Sequence, residues 1–400
     1  MLQRALSILL CVCVVAACKP LPPRKADAPP RPTAGAAMET PLKAPVIHQP
    51  VVASGPPLKV GLLVPLSGRA ADVGKALQDA AVLALFDKYA GMHDVSNVRR
   101  IELLPQNTKG TPEGALEAAA KVKAEGATLI IGPLFAGEAE ALKGKTGLPV
   151  VSFTNDARAA GGDIFAFGFK PDEQAARAAS YVFQQANISR MAMLVPQDAY
   201  GSRVAKAVET EASKTGATLT SIVRFSPASG ILESDINTLL DGKSDPDFGA
   251  LFLAAGGEQL TRAMPLLLSN NITPQRVRFV GTGLWDDIKL LKQNTLQDAI
   301  YASAEPDEYA SFATRFRATY DYEPPRIASL AYDAVALATS LALSPAGFSE
   351  AALLSPNGYV GPANGVFRFL ADRTTQRRLA VIEASGPAPH VVDPAPIGFN

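Results

Sequence analysis

The sequence predicts an α/β fold of two doubly wound parallel-sheet lobes. The first observation is that short apolar runs alternate with helix-like segments, an order that builds parallel sheets with right-handed crossovers. The second is that the run Val60–Val64 is nearly unbroken, as in a strand buried on both faces. The third is that the alternation restarts after Gly162–Gly168, and a chain of 400 residues suits two domains plus a tail.

The first strand, turn and helix set the pattern for the rest of the chain. Pro65 ends the strand, and Pro65–Gly68 is a turn of small residues. Apolar residues then recur at helical spacing as far as Tyr89, which gives the helix one broad face to bury. In an open parallel sheet, ligands bind at the turn that follows a strand, where the N–H groups of the next helix are free. This turn is therefore a candidate binding site.

Three more strands and two helices complete the first run of the alternation. Thr111-Pro112-Glu113 is a strong helix start, with a hydroxyl cap, proline at the first helical position and an acid in the first turn. Gly126 ends that helix. In chain order, the pattern predicts strands at 100–105, 129–132 and 149–153, and helices at 111–125 and 137–145.

The second run repeats the alternation and ends differently. From Gly358 the pattern changes to short, glycine-spaced strands, and the proline-rich tail, residues 387–400, is expected to be loose. The predicted strands are 191–196, 218–225, 250–254, 277–281, 366–370 and 379–383, and the predicted helices are 171–185, 201–215, 231–240, 258–269, 307–320 and 327–343.

The N-terminus has the pattern of an export signal. A basic start precedes an apolar core, Ala5–Val15, which is too short to span a membrane, and Val15-Ala16-Ala17-Cys18 closes it. These last four residues resemble a bacterial lipobox, which implies that residues 1–17 are a lipoprotein signal peptide and that Cys18 carries the lipid. An ordinary cleaved signal, with Cys18 incidental, is the alternative. After cleavage Cys18 is the one remaining cysteine, so the sequence favours neither disulfides nor thiolate metal sites.

Residues 18–57 are predicted to be a tether. They are crowded with proline and alanine and show no apolar periodicity, so they cannot bury enough surface to fold. The whole chain has a formal net charge of zero, which gives no electrostatic reason to bind nucleic acid. We therefore expect no nucleic-acid partner, and contact with a membrane only through the lipid anchor.

The sequence argues against an enzyme. Its three histidines, His48, His93 and His390, fall in the tether, a polar loop and the tail, away from acidic partners. No nucleophile elbow, phosphate-binding Gly-Lys-Ser/Thr loop or zinc-protease motif occurs. We therefore expect no catalytic residues, no metal and no cofactor.

Six turns follow predicted strands and are expected to converge on one cleft, if both sheets point their carboxyl ends inward. Phe135, Tyr200 and Trp285 are large enough to cover a ligand or a partner side chain. Ser67 fits the role of a helix cap about as well as that of a ligand contact. Trp285 fits a packing site slightly better than a position that stacks on a ligand. The turns are 65–68, 132–138, 152–156, 197–201, 254–257 and 281–287.

The folded part resembles type I periplasmic binding proteins of the leucine-binding kind. The resemblance rests on Lys59–Gly68, Gly132-Pro133-Leu134, Ala199-Tyr200-Gly201, Gly358–Gly361 and Gly365–Asp372. It implies two lobes that are joined by three crossovers and close on a ligand by a hinge motion. Lobe 1 would then comprise residues 58–168 and 305–358, and lobe 2 residues 169–304 and 359–386.

The resemblance also implies roles for individual cleft residues. Amino-acid receptors of this kind hold the ligand's carboxylate with hydroxyl and backbone N–H groups, a role that Thr154 fits. The acid that would hold the ammonium is missing from Thr282-Gly283-Leu284, although Asp286 is close by, and an unpaired ammonium in a closed cleft is unfavourable by several kcal/mol. The candidate cleft residues are Ser67, Gly68, Phe135, Ala136, Gly137, Thr154, Asn155, Tyr200, Gly257 and Trp285.

A closer resemblance is to the penicillin-binding-protein activator lipoproteins. It rests on Leu62–Gly68, the Gly-Pro-Leu turn and Pro171–Ala175, and Lys19 beside Cys18 is compatible with outer-membrane sorting. It implies a periplasmic, outer-membrane lipoprotein that activates a bifunctional penicillin-binding protein, a peptidoglycan synthase, by protein contact. The helical-repeat domain of the best-known members is absent, and the tether stands in its place. The alternative is the substrate-binding lipoprotein of an ABC importer for amino acids or amides, with a small polar ligand.

Overall fold

The computed structural model describes residues 55–399, except 91, 93–97, 288–289, 291–295 and 385–388. The predicted signal peptide, Cys18, His48, His93 and nearly all of the tether therefore lie outside the described residues. No helix in the described part is both long enough and apolar enough to cross a bilayer.

The first sheet contains, within the described ranges, five parallel strands in the order β2-β1-β3-β4-β5. Its central strand explains the layers on either side: Val60, Leu62 and Val64 pack against the core under α1, whereas Leu63 packs against the core under α2 and α3. This alternation follows from the two-residue period of a strand. The elements are β1 (Leu58–Val64), α1 (Ala71–Ala90), β2 (Ile101–Asn107), α2 (Pro112–Ala124), β3 (Ala127–Ile131), α3 (Ala136–Leu142), β4 (Val150–Ser152) and β5 (Ile164–Ala166).

The second sheet contains, in the described part of the chain, seven strands in the order β15-β14-β10-β9-β8-β6-β7. The strands β6 to β10 are parallel, and β14 and β15 are antiparallel additions at one edge. Helices on both faces give this lobe two apolar cores of its own. The elements are α4 (Pro171–Gln184), β6 (Arg190–Pro196), α5 (Ala199–Thr215), β7 (Thr218–Phe225), α6 (Glu233–Leu240), β8 (Ala250–Leu253), α7 (Gly257–Ser269), β9 (Arg278–Gly281), β10 (Ala299–Ser303), β14 (Ala380–Ala384) and β15 (His390–Asp393). The predicted α/β architecture of two doubly wound lobes is confirmed.

Three late helices return to the first lobe. They are α8 (Pro306–Tyr320), α9 (Ala328–Ala342) and α10 (Glu350–Leu353). Helix α9 is apolar almost all round and packs along α1, so the core of the first lobe joins residues from both ends of the chain. The hydroxyls of Tyr320 and Tyr322 join the end of α8 and the loop after it to α1, by donating to the backbone carbonyl and the carboxylate of Asp79 at 2.9 and 2.7 Å.

The boundary between the lobes lies further along the chain than the expected position 359. A small antiparallel sheet is formed by β11 (Tyr359–Gly361), β12 (Gly365–Phe369) and β13 (Thr375–Arg377). Phe367 and Phe369 are buried in the core of the first lobe, where their rings pack against Phe165 and Phe167 at centroid distances of 4.8 to 5.7 Å. Residues 359–369 therefore belong to the first lobe because their aromatic side chains complete its core.

The expectation of a loose tail from residue 387 is also wrong where the structure describes it. Residues His390–Asp393 form β15, which pairs with β14 at the edge of the second sheet. An apolar pair explains this, because Val391 and Val392 pack against the two different cores of the second lobe. An ion pair of 2.9 Å between Arg177 and Asp393 adds to it.

Three connections join the lobes in the described part of the chain: residues 168–170, 304–305 and 370–379. The first two are three and two residues long, the third is ten residues long and contains β13, and each follows a strand of one lobe and enters the other. We call them the first, second and third crossovers.

Candidate functional site

The turns after β1, β2 and β3 lie together at the carboxyl edge of the first sheet. The side-chain amide of Asn107 donates to the Ser67 hydroxyl at 2.9 Å, and its carbonyl oxygen accepts from the backbone N–H groups of Leu66 and Lys109, at 2.8 Å each. Ser67 is therefore fixed by Asn107, which sequence reasoning missed. Ser67 and Gly68 are both exposed at this edge.

Phe135 lies in the third-strand turn, directly before α3, and projects from it. Its side chain is 41 % exposed, and a Cβ on Gly110 would lie 3.4 Å from its ring. The buried carboxylate of Glu138 accepts from the Phe135 backbone N–H at 2.9 Å and so holds the turn, and burial raises the pKa of Glu138. Ala136 is half-buried, whereas Gly137 is exposed, with no atom within 4 Å of where its Cβ would stand.

The turn after β4 places Thr154 and Asn155 differently. Thr154 is 5 % exposed, and its hydroxyl accepts from the Asp156 backbone N–H at 3.1 Å. The neighbouring Arg158 guanidinium donates to Asp156 and lowers the pKa of that carboxyl to about 2. Asn155 is exposed, and its backbone carbonyl accepts from Arg203 of α5 at 2.9 Å, a hydrogen bond that crosses from one lobe to the other.

The turns of the second lobe form a matching cluster. The hydroxyls of Tyr200 and Thr282 are 2.8 Å apart and share a hydrogen bond, and burial raises the pKa of Tyr200 to about 12, so the phenol stays protonated. Leu284 is 48 % exposed and lies over Gly256. A Cβ added to Gly256 would stand 2.9 Å from the Leu284 side chain. Gly257, next to it, is exposed to open space.

Trp285 does not line the cleft, in contrast to its inclusion among the candidates. It is fully buried in the core of the second lobe. Its indole N–H donates to the Ala255 carbonyl at 2.8 Å, and its ring lies so close to Gly281 that a Cβ there would stand 2.3 Å from it. The tryptophan therefore supports the turn that carries Leu284 instead of contacting a ligand.

An ion pair links the two lobes beside these clusters. Arg326, which precedes α9, donates through Nε to Asp286 at 2.8 Å, and Asp286 also accepts from the Ser303 hydroxyl at 2.8 Å. Both charged side chains are largely buried, with 17 % and 13 % of their surface exposed. Asp286 is therefore already neutralised by a cation of the other lobe and is not a free counter-charge for an ammonium.

Arg326 belongs to a buried polar cluster beside the crossovers that sequence reasoning missed. Asn364 accepts from Arg326 at 2.5 Å and donates to Asp333 at 2.7 Å, and Asp333 also accepts from the Ala363 N–H at 2.9 Å. Burial raises the pKa of Asp333 to about 6, and burial lowers the pKa of Arg377 to about 10. A lone acid within the apolar helix at 328–342 was the available signal, because a buried charge requires partners.

Glu308 should make folding stability depend on pH. Burial, with repulsion by Asp333 and Glu305, raises the pKa of Glu308 from 4.5 to about 7, against the attraction of Arg326. The folded chain thus holds this proton more tightly, so its contribution to stability is complete below about pH 4.5 and is lost as the pH rises through about 7. We expect Glu308→Gln to flatten the fall of Tm between these pH values, measured by thermal melts.

The control for this prediction is Glu258→Gln, which changes a carboxylate that is 77 % exposed on the surface. This variant should keep the wild-type slope of Tm against pH. Equal slopes for wild type and both variants would contradict a raised pKa at Glu308.

The described residues contain no group of three or more histidine, cysteine, aspartate or glutamate side chains that could hold a metal ion. The arrangement is instead one of two facing turn clusters, with exposed glycine backbone, hydroxyls and one apolar side chain from each lobe, Phe135 and Leu284. Such a cleft suits reversible binding between two rigid lobes.

Comparison with known proteins identifies a family for most of the folded part. Residues 57–387 match a family described as periplasmic binding protein. A putative branched-chain amino acid ABC transporter protein from Rhodospirillum rubrum superimposes with a TM-score of 0.71 and 19 % identity, over 84 % of this chain and 99 % of that one.

Two further solved structures with bound ligands have the same fold. The branched-chain amino acid transporter substrate-binding protein of Streptococcus pneumoniae, in complex with isoleucine, has a TM-score of 0.60 and 20 % identity over 84 % of this chain and 99 % of that one. A solute-binding protein of an ABC transporter from Rhodopseudomonas palustris, in complex with 3,4-dihydroxybenzoic acid, has a TM-score of 0.61 and 16 % identity over 82 % and 93 %. At these identities the likeness extends to the fold alone.

Proposed function

This chain belongs to the periplasmic binding protein family, and from that premise we propose that it is a receptor that holds a small ligand between its two lobes, as the substrate-binding component of an ABC importer. Family membership implies an extracytoplasmic location. The observation that carries the proposal is that turns of both sheets lie at facing edges, with Arg203 and Arg326 reaching from one lobe to the other. Ligands of open α/β sheets bind at such edges.

The chemistry of the cleft narrows the class of ligand. Phe135 and Leu284 offer exposed apolar surface on opposite lobes, and Ser67 offers an exposed hydroxyl that accepts from Asn107 and keeps its own proton to donate. Asp286, the acid nearest to the expected place for an ammonium partner, is paired with Arg326. We therefore propose a carboxylate or amide with an apolar part, in preference to a free α-amino acid. The bound isoleucine and dihydroxybenzoate of the structural neighbours show that this fold accommodates ligands of that size.

A thermal-shift experiment tests the proposal. The purified chain is melted with branched-chain amino acids, their amides and aromatic carboxylates. A ligand that binds the folded protein stabilises it by RT ln(1 + [L]/Kd), about 2.7 kcal/mol at a hundredfold excess over Kd. We expect a rise in Tm with an amide or carboxylate, and Phe135→Ala should remove most of that rise because it removes the apolar contact.

The matched control is Phe86→Ala, which truncates a phenylalanine that is 67 % exposed on α1, outside the cleft. It should leave the ligand-dependent rise unchanged. A flat response of the wild type to every compound, or an equal response of both variants, would contradict ligand binding at the cleft.

A second candidate is activation of a bifunctional penicillin-binding protein by protein contact. Ser67, Thr154, Tyr200 and Asp286 already have partners within the chain, so they leave few polar groups free for a small ligand. The exposed Phe135 side chain suits contact with a protein partner. Capture of the synthase's periplasmic part by this chain, with no small molecule added and no response in the thermal-shift panel, would favour this candidate over the receptor. In either case we propose that a lipid on Cys18 holds the protein at the outer membrane.

A further inference from the structure

The C-terminal segment 389–399 runs from one lobe to the other alongside the crossovers. We call it the strap. It begins in the second sheet, where β15 pairs with β14 in the register Glu383–His390, Ile382–Val391 and Val381–Asp393. The strap is therefore anchored to the second lobe by backbone hydrogen bonds.

Arg177 of α4 reinforces this anchor from a different element. Its guanidinium is 2.9 Å from the Asp393 carboxylate and donates to the backbone carbonyls of Asp393 and Pro394, at 3.5 and 3.3 Å. The same side chain donates through Nε to the Leu379 carbonyl, at 2.9 Å. Arg177 thus joins the strap to the third crossover.

The middle of the strap contacts the second crossover. The backbone N–H of Ala395 donates to the Glu305 carboxylate at 3.0 Å. Pro394 and Pro396 flank this residue and restrict its path, because proline fixes its own φ and biases the preceding residue toward an extended conformation. The chain is thereby directed past the crossover toward the first lobe.

Phe399 attaches the end of the strap to the first lobe. Its ring lies 4.5 Å from the guanidinium of Arg368 in β12 and 4.5 Å from that of Arg378 in the third crossover. A Cβ on Gly358 would stand 2.8 Å from the ring, so the absence of a side chain there makes room for it. The aromatic ring is thus held by two cations and a glycine surface.

We propose that the strap acts as a non-covalent fourth link between the lobes, which stabilises the lobe arrangement seen here and so limits hinge opening. The first and third crossovers are in contact, because the Arg377 guanidinium lies 5.2 Å from the Phe169 ring, and a link anchored on both lobes next to the crossovers restricts their bending. Its consequence for ligand affinity rests on the proposed receptor function, since a ligand's apparent affinity scales with the population of the binding-competent arrangement. The restriction of opening itself needs no ligand.

The test is Phe399→Ala in the full chain without ligand, with Ile397→Ala as the matched control, because Ile397 lies in the same strap and is 96 % exposed. Loss of two cation–π contacts should speed amide hydrogen exchange at Ala395 about fivefold to thirtyfold. Small-angle X-ray scattering should show a larger radius of gyration for Phe399→Ala, and Ile397→Ala should match the wild type in both measurements. Phe399→Leu, which keeps the apolar volume but not the aromatic ring, should give an intermediate result.

Faster exchange at Ala395 with an unchanged radius of gyration would show that the strap does not hold the lobes, and it would overturn the proposal. Unchanged exchange would overturn it as well, because Phe399 would then not anchor the strap. Neither measurement involves a ligand, so a failure of the receptor proposal leaves this test intact.

Discussion

Replacing Asp333 with alanine is expected to lower the free energy of unfolding by about 3–5 kcal/mol. Asp333 is fully buried and accepts hydrogen bonds from the Ala363 N–H and the Asn364 amide. Its removal leaves both donors without a partner, and it takes away the negative charge that faces Arg377 and Arg326. Urea denaturation above pH 6, where the carboxyl is mostly ionised, measures the loss.

Asp333→Asn removes the charge together with one of the two acceptor oxygens. It keeps the shape and one carbonyl acceptor, so we expect a loss of about 1–2 kcal/mol. If the alanine variant does not fold, the asparagine variant still gives a value. An asparagine variant as stable as the wild type at every pH would argue that the second acceptor oxygen of Asp333 does not stabilise the cluster.

Replacing Trp285 with alanine is expected to destabilise the protein by about 3–5 kcal/mol. The side chain is fully buried, and on the face that packs against Gly281 there is no side chain to fill the cavity. The hydrogen bond from the indole N–H to the Ala255 carbonyl is lost as well. Because this is the only tryptophan of the chain, unfolding is followed by circular dichroism instead of fluorescence.

Trp285→Phe is the informative control for this prediction. It keeps much of the ring volume but leaves the Ala255 carbonyl unpaired, so a loss of about 1–3 kcal/mol is expected. The wild-type fluorescence gives an independent check, since a buried indole emits at shorter wavelength than a solvated one. Emission typical of solvated indole, with a small effect of Trp285→Ala, would place the ring in the cleft after all.

The fold was predictable because each lobe is built from signals within a few residues of one another. The unbroken run Val60–Val64 predicted a strand buried on both faces, and β1 has helices on both sides. Thr111 and Pro112 predicted the start of α2, and the Thr111 hydroxyl accepts from the Gly114 N–H as a cap should. Local patterns of this kind do not depend on where distant segments pack.

The errors concern segments whose position is decided by distant partners. No residue near Phe367 and Phe369 in the sequence indicates that they pack on Phe165 and Phe167, so the sequence pattern predicts a lobe boundary that is too early. The prolines of the tail predict a loose segment, but β15 pairs with β14 at the edge of the second sheet.

The candidate site was predicted as a set of turns, and its side-chain roles were less predictable. Phe135, Asn155 and Tyr200 lie at the facing edges, but the partners Asn107, Arg203 and Arg326 were not foreseen, because a turn's location does not determine which side chain of another element reaches it. The turn at 281–287 likewise does not determine whether Trp285 faces the cleft or the core, and the ring lies in the core. The glycine four residues before it, Gly281, is the one local sign that its ring packs inward.

The packing of α9 along α1 has a consequence for how the protein is made. The first sheet and α1 leave the ribosome early, whereas α9 and the aromatic residues of β12 come from the last fifth of the chain. Until those segments are synthesised, the side of α1 that packs on α9 has no cover, and nascent or truncated chains expose it to chaperones or to one another. Native assembly of the N-terminal half therefore waits for the C-terminal residues, and deletions near the end of the gene should damage the beginning of the protein.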